Sequence, residues 1–322
     1  MARRKVGFLH PGSKESFKKA YSTFVRRLLD IRGEDRDVRI IDRWAADDTS
    51  KNLQEHAEAL VAVANIEVIV AAGGPSAALR LKDATSTVPV VFTSVADPVG
   101  YGLVTDLDAP GGNITGIAGF TTELDVTRLE LLRELLPKPA ALNVGILNNS
   151  ARENLAAQYQ KLADAAATMN IAPVRQDKAD LAGIKAAFAA FRAANVNAVL
   201  VTADSLFNDL RADVVAEAGA IPTIYQWREF AEAGGLMSYG PNILEAYEMA
   251  AEYVGDILDG MAPADLPVSI PNDFELVINL RTVMKNNIKV PASLLKNAEL
   301  VRRRRRSRQA MLLDAEADEQ AD

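Results

Sequence analysis

The chain contains no cysteine and only two histidines, His10 and His56. The first absence excludes disulfides, thiolate nucleophiles and cysteine-based zinc sites. The second leaves no histidine pair at metal-ligand spacing. His10 ends the first apolar run, where it could line a cleft; His56 falls in a helical pattern and is expected at the surface. No apolar run approaches the roughly 20 residues that cross a bilayer. The motifs GxxxxGK[ST] and GxSxG are missing, and "GGPSAA" (Gly73 to Ala78) is not GxGxxG, which argues against a phosphate loop, a hydrolase elbow and a dinucleotide site. A formal net charge of -7 argues against a nucleic-acid surface. The opening "MARRKVGFLHPG" runs straight into a short strand pattern, without the apolar core and cleavage site of a secretory leader, and is read as carrying none.

What is present is an ordinary globular composition, 49% hydrophobic and 25% charged, over 322 residues. That length favours two domains. Strand patterns at Lys5–His10, Asp37–Ala45, Glu67–Gly74 and Val88–Val95 alternate with helical ones, the second helix opening at Ser50. Such alternation predicts an α/β domain with a parallel sheet. The pattern then repeats. "KVGFLHPGSKES" aligns with "NVGILNNSAREN" (Asn143 to Asn154), "EVIVAAGGPSAALRL" with "NAVLVTADSLFNDLR" (Asn197 to Arg211), and "VPVVFTSV" with "IPTIYQW" (Ile221 to Trp227). Two similar α/β halves are the economical reading. Beyond them, Gly234–Asn242 and Phe274–Leu280 read as strands and Leu244–Gly260 as an amphipathic helix. The last segment, 301–322, joins an arginine block to an acidic end and reads as a disordered charged tail.

Ligands of open parallel sheets bind outside the carboxyl ends of the strands. Those ends carry Ser13; Gly74, Pro75 and Ser76; and Ser94 and Asp97 in the first half. In the second half they carry Asn148, Asn149 and Ser150; Thr202, Asp204 and Ser205; and Tyr225, Gln226 and Trp227. Gly74-Pro75-Ser76 sets bare amides and a hydroxyl at a helix start, an anion site suited to a carboxylate. Asp97 and Asp204 offer the opposite sign, so the set suits a small zwitterion, with Tyr225 and Trp227 as an aromatic wall. The same serines and aspartates also serve as helix caps, and Asp97 before Pro98 also opens turns. No nucleophile–base pair assembles, so neither an enzyme nor a cofactor is expected.

These segments resemble a known family. "VPVVFTSVADPVGYGLV", "PGGNITGI", "GGLMSYGPN", "PADLPV", "FELVINLRT" and "VPASLL" look like the ABC-transporter substrate-binding proteins of the tryptophan/tyrosine-binding type, from about Lys5 to Leu300. The resemblance implies a type I periplasmic binding protein fold: two Rossmann-like α/β lobes with parallel sheets, joined by a three-crossing hinge. The crossings would fall near Asn113–Thr121, Tyr239–Asn242 and Val268–Asp273. The lobes would then comprise 1–118 with 241–267, and 119–240 with 268–300. It also implies a monomer that traps an amino acid or related carboxylate by hinge closure, a transporter permease as partner, and a periplasmic location. A cytoplasmic ligand-sensing module on the same lobes is the alternative. About four residues precede the first strand, too few for a DNA-binding helix-turn-helix.

Overall fold

The computed structural model describes residues 3–33, 37–48, 51–95, 97–119, 121–136, 142–151, 155–271 and 274–301. The arginine-rich segment from residue 302 onward and Ser50 lie outside the described residues. The first half runs β1 (Arg4–His10), α1 (Lys18–Ile31), β2 (Val38–Trp44), α2 (Leu53–Val61), β3 (Ile66–Ala71), α3 (Pro75–Ala84), β4 (Val90–Val95) and β5 (Ile114–Ala118). The second runs α4 (Thr121–Leu135), β6 (Leu142–Asn148), α5 (Leu155–Thr168), β7 (Ile171–Asp177), α6 (Leu181–Ala193) and β8 (Ala198–Val201). It continues with α7 (Ser205–Asp209), α8 (Arg211–Ala218), β9 (Thr223–Tyr225), α9 (Arg228–Glu232) and β10 (Met237–Pro241). The chain closes with α10 (Ile243–Leu258), β11 (Phe274–Asn279), α11 (Leu280–Lys285), α12 (Ala292–Asn297) and β12 (Glu299–Val301).

The strands form two sheets. The first has the order β2-β1-β3-β4-β5, every pair parallel. The second has the order β12-β11-β10-β9-β8-β6-β7, parallel except where β10 meets β11. Within it, β7-β6-β8-β9-β10 reproduces the order of the first sheet, so the repeat legible in sequence is a repeat of topology. Each central strand is buried on both faces, which is why it reads as continuous Val, Ile and Leu. Val6 and Phe8 of β1 point to the face covered by α1 and α10, whereas Leu9 points to the face covered by α2 and α3. That split follows from the two-residue repeat of a strand. In the second sheet Ile146 belongs to one apolar cluster with Leu129, Leu132 and Leu162, and Leu147 and Val199 to another with Phe188 and Phe191.

Local signals explain the element boundaries. Asn52 caps α2, accepting from Glu55 N at 3.0 Å, while Glu55 Oε2 accepts from Asn52 N at 2.7 Å. This reciprocal pair places the cap at Asn52 rather than Ser50, because Glu55 stands at the third helical position. Asn242 caps α10 through Leu244 N at 3.0 Å. Gly260, at φ +104, follows its end. His56 is buried, not exposed as expected, and its Nε2 lies 3.2 Å from the Asp48 carbonyl oxygen. It sits beside Ala57 on the apolar face of α2, which is wider than the leucine spacing suggested.

Three segments join the sheets. The chain leaves β5 for α4, returns from β10 into α10, and passes back after α10 to β11. The first and third run side by side: Ala118 N donates to Ser269 O at 2.8 Å and Ser269 N to Gly116 O at 3.1 Å. Helix α10 packs on β3, β4 and β5 and against α1, so it belongs to the first sheet although its sequence follows most of the second.

Candidate functional site

The carboxyl ends of the two sheets face each other across a cavity of about 380 Å³. That is toward the small end of the roughly 300–1,000 Å³ usual for small-molecule sites. From the first half it is lined by Pro11, Gly73, Gly74, Pro75, Ser76 and Ser94, with Leu53, Leu79 and Arg80 behind them. From the second half come Asn149, Ala203, Asp204, Leu206, Asp209 and Trp227.

The first wall is built around a backbone that only glycine adopts readily. Gly73 has φ +82, and Gly74 has φ +108 with ψ -166. Gly73 N donates to Thr93 Oγ1 at 3.2 Å and Gly74 N to Thr93 O at 3.2 Å, which fixes the loop on β4. Pro75 then starts α3 at a position that needs no N–H. The helix therefore begins at the cavity with the Ser76 amide ahead of its hydrogen-bond ladder and the positive end of its dipole, which favours a carboxylate. Beside it, Ser94 holds φ +58 at a register shift between β4 and β5. A left-handed serine in a strand is a strained conformation of the kind found where a side chain is aimed at a site.

The opposite wall carries two carboxylates. Asp204 caps α7, its Oδ1 accepting from Leu206 N at 2.9 Å and from Asn149 Nδ2 at 3.0 Å. Asp209, at the end of the same short helix, takes Ser13 N at 3.1 Å and Ser13 Oγ at 2.8 Å on its Oδ1. Arg80 stands on the first wall and pairs with Asp83 at 3.6 Å. Trp227 is 8% exposed and meets the Phe17 ring edge-on with centroids 6.3 Å apart, so an aromatic pair spans the two halves.

His10 lies just behind this surface. Its ring is fully buried between Phe17, at 4.0 Å, and Trp44, at 4.9 Å between centroids. Nδ1 accepts from Gly12 N at 2.8 Å, so the ring proton resides on Nε2. Burial lowers its pKa to about 3 and keeps it neutral.

Of the residues picked from sequence, Gly74, Pro75, Ser76, Ser94, Asp204 and Trp227 share this cavity, and Ser13 touches it through Asp209. The others stand elsewhere. Asp97 is exposed and closes a turn, its Oδ1 accepting from Gly100 N at 2.8 Å. Asn148 donates to Asp177 at 3.0 Å, and Thr202 donates through Oγ1 to Leu147 O at 3.1 Å. Ser150 is exposed, with its backbone tied to Lys178 O, and the neighbouring Asn149 lines the wall instead. Tyr225 is buried, stacked on Phe230 at 4.7 Å, and Gln226 is fully buried. Sequence reading missed Asp209 and Arg80, while Asn149, which it placed in the loop after β6, lines the cavity. Asp209 had a signal: it follows Asp204 by five residues in the aligned segment, at the far end of one helical turn and a half.

The model of the family described as ABC transporter substrate binding protein matches residues 5–302. The chain belongs to that family. This binding protein is 28% identical over 283 residues to the tyrosine-binding protein of Clostridioides difficile (strain R20291), covering 87% of this chain and 80% of that one. Among solved structures it is similar to a conserved domain protein from Vibrio cholerae, with a TM-score of 0.84 and 24% identity over 93% of this chain and 99% of the other. It is also similar to an ABC domain from Streptococcus pneumonia in complex with L-Trp, with a TM-score of 0.81 and 25% identity over 92% and 100%. The two α/β lobes and their mostly parallel sheets are those of the type I periplasmic binding protein fold. The binding protein is thus the ligand-capturing component of a transporter, and its cavity lies where the two lobes meet.

Proposed function

We propose that this binding protein captures a zwitterionic aromatic amino acid between its lobes and delivers it to a membrane permease. One observation carries the reading. A single small cavity joins a helix N-terminus on one lobe to two carboxylates and a tryptophan on the other. The ligand carboxylate would meet the Ser76 amide and hydroxyl at the start of α3, its ammonium the wall formed by Asp204 and Asp209, and its ring Trp227. The tyrosine-binding relative and the tryptophan-bound structure support the aromatic side chain. Contacts made to both lobes at once stabilise the closed form selectively, and only such differential contacts move an open–closed equilibrium. We divide the lobes as 1–118 with 241–267 and 119–240 with 268–300. Membership of the family supports a permease partner and action outside the cytoplasm.

Binding without catalysis is the accompanying proposal. A general base needs a pKa near the working pH. His10 has Nδ1 occupied and a pKa near 3, far from that task. Isothermal titration with the 20 amino acids tests the whole reading: L-tyrosine or L-tryptophan should bind more tightly than aliphatic or charged residues. Heat only from a sugar or a simple carboxylate, with no response to any amino acid, overturns it.

A further inference from the structure

The β1–α1 loop is built to receive one carboxylate oxygen from the other lobe. Ser13 presents both its amide and its hydroxyl to Asp209 Oδ1. The same hydroxyl accepts from Ser16 N at 3.3 Å, which fixes its rotamer. Gly12 leaves the space the carboxylate occupies, since a Cβ there would stand 2.7 Å from Asp209 Oδ2 and 2.9 Å from the Phe17 ring. Behind the loop, His10 Nδ1 pins Gly12 N, and its low pKa keeps that acceptor unprotonated. Clearance, paired donors and a buried support converge on an atom that belongs to the protein.

We propose that Ser13 and Asp209 form a latch between the lobes, held in shape by His10 as a positioning residue, that favours closure before any ligand arrives. The proposal rests on the two-lobe binding reading above but not on the identity of the ligand. Two donors on an ionised acceptor make a strong hydrogen-bonded pair. The latch exists only when the lobes meet, so it raises the fraction of closed molecules. Apparent affinity scales with that fraction. The latch therefore sets how tightly all ligands bind, while the cavity wall sets which ligand binds. At the far side of the cleft Gln158 Nε2 donates to Tyr101 Oη at 3.2 Å, so the cavity is bracketed by lobe-to-lobe contacts.

The absence of native cysteine allows a clean test. Spin labels at Glu58→Cys on the first lobe and Lys161→Cys on the second, both exposed, report lobe separation in the ligand-free protein by double electron–electron resonance. Ser13→Ala and Asp209→Ala should shift the distribution to a longer distance, and Ser13→Thr should restore it. His10→Asn, which keeps an acceptor near Nδ1, should stay closer to wild type than His10→Leu. Ser13→Ala should weaken L-tyrosine and L-tryptophan by the same factor, about tenfold for one lost charge-assisted hydrogen bond. Identical distance distributions for wild type and Ser13→Ala overturn the latch. So does a loss of affinity confined to one of the two probes, which would make Ser13 a ligand contact. If neither probe binds wild type, the aromatic-ligand reading fails while the distance measurement still decides the latch.

Discussion

The Arg128 guanidinium, closed off from solvent on α4, donates through Nε to the carbonyl oxygen of Tyr239 in β10 at 2.7 Å. Its Nη1 meets Asp125 Oδ1, so a buried ion pair is stitched to the strand that leads into the second crossing. Removing one partner of a buried pair leaves an uncompensated charge. Arg128→Met should lower unfolding free energy by about 3–5 kcal/mol, read as a lower urea midpoint with an unchanged slope. A loss under 1 kcal/mol would mean that the hinge does not depend on this pair.

His10 makes stability depend on pH. Its folded pKa of about 3 lies below the ordinary 6.5, so between those values the unfolded chain binds more protons than the folded one. Stability should therefore be fully present above pH 6.5 and fall as the pH drops toward 3. The loss attributable to this ring is on the order of 3 kcal/mol by pH 4. The difference in urea stability between wild type and His10→Asn should shrink along that slope; a difference constant from pH 7 to 4 would contradict it.

The acidic wall discriminates between three aspartates. Asp204→Asn and Asp209→Asn should each weaken L-tyrosine at least tenfold, about 1.4 kcal/mol, in isothermal titration, the second through the latch as well as through the lost charge. Asp97→Ala should change affinity by less than twofold, because that side chain caps its own turn. Equal losses from all three would remove the charge argument.

Gly74→Ala forces a Cβ onto φ +108. The nearest heavy atom to that Cβ would be Ser94 O at 3.9 Å, so the cost is conformational rather than steric. Rotation of this residue would carry the start of α3 away from the cavity. Affinity should fall more than tenfold, with a stability loss of about 1–3 kcal/mol in thermal unfolding.

Trp227 gives an intrinsic signal. The chain has two tryptophans, and the other, Trp44, packs against His10 in the first lobe. Ligand binding should change the emission of Trp44→Phe as much as that of wild type, and Trp227→Phe should abolish the response. A response retained in Trp227→Phe would place the ligand away from this wall.

The fold was written plainly because buried parallel strands and amphipathic helices impose strong periodicities. The repeat of "KVGFLH" in "NVGILN" reappears as β1 and β6, each flanked in the same order. The loops at the strand ends were also legible, since topology decides where they gather. Which side chains within them turn inward was not. Ser150 and Asn149 are neighbours in a loop where sequence offers no periodicity, and it is the asparagine that faces the cavity. Tyr225 obeyed strand alternation and turned to Phe230, leaving Trp227, beyond the strand, for the wall. Asp97 illustrates the remaining ambiguity: the residue types that hold ligands also close turns.

The placement of α10 bears on how the molecule is made. The helix that covers β3, β4 and β5 begins only at Ile243, after the chain has laid down β6 through β10. During synthesis the apolar face bearing Phe8, Val70 and Val91 must wait with only α1 to cover it while more than a hundred further residues emerge. A nascent chain in that state exposes a sticky surface that chaperones recognise. Neither lobe can be obtained by cutting the gene at one point, and moving the termini to join α10 directly to β5 should yield a first lobe able to fold by itself.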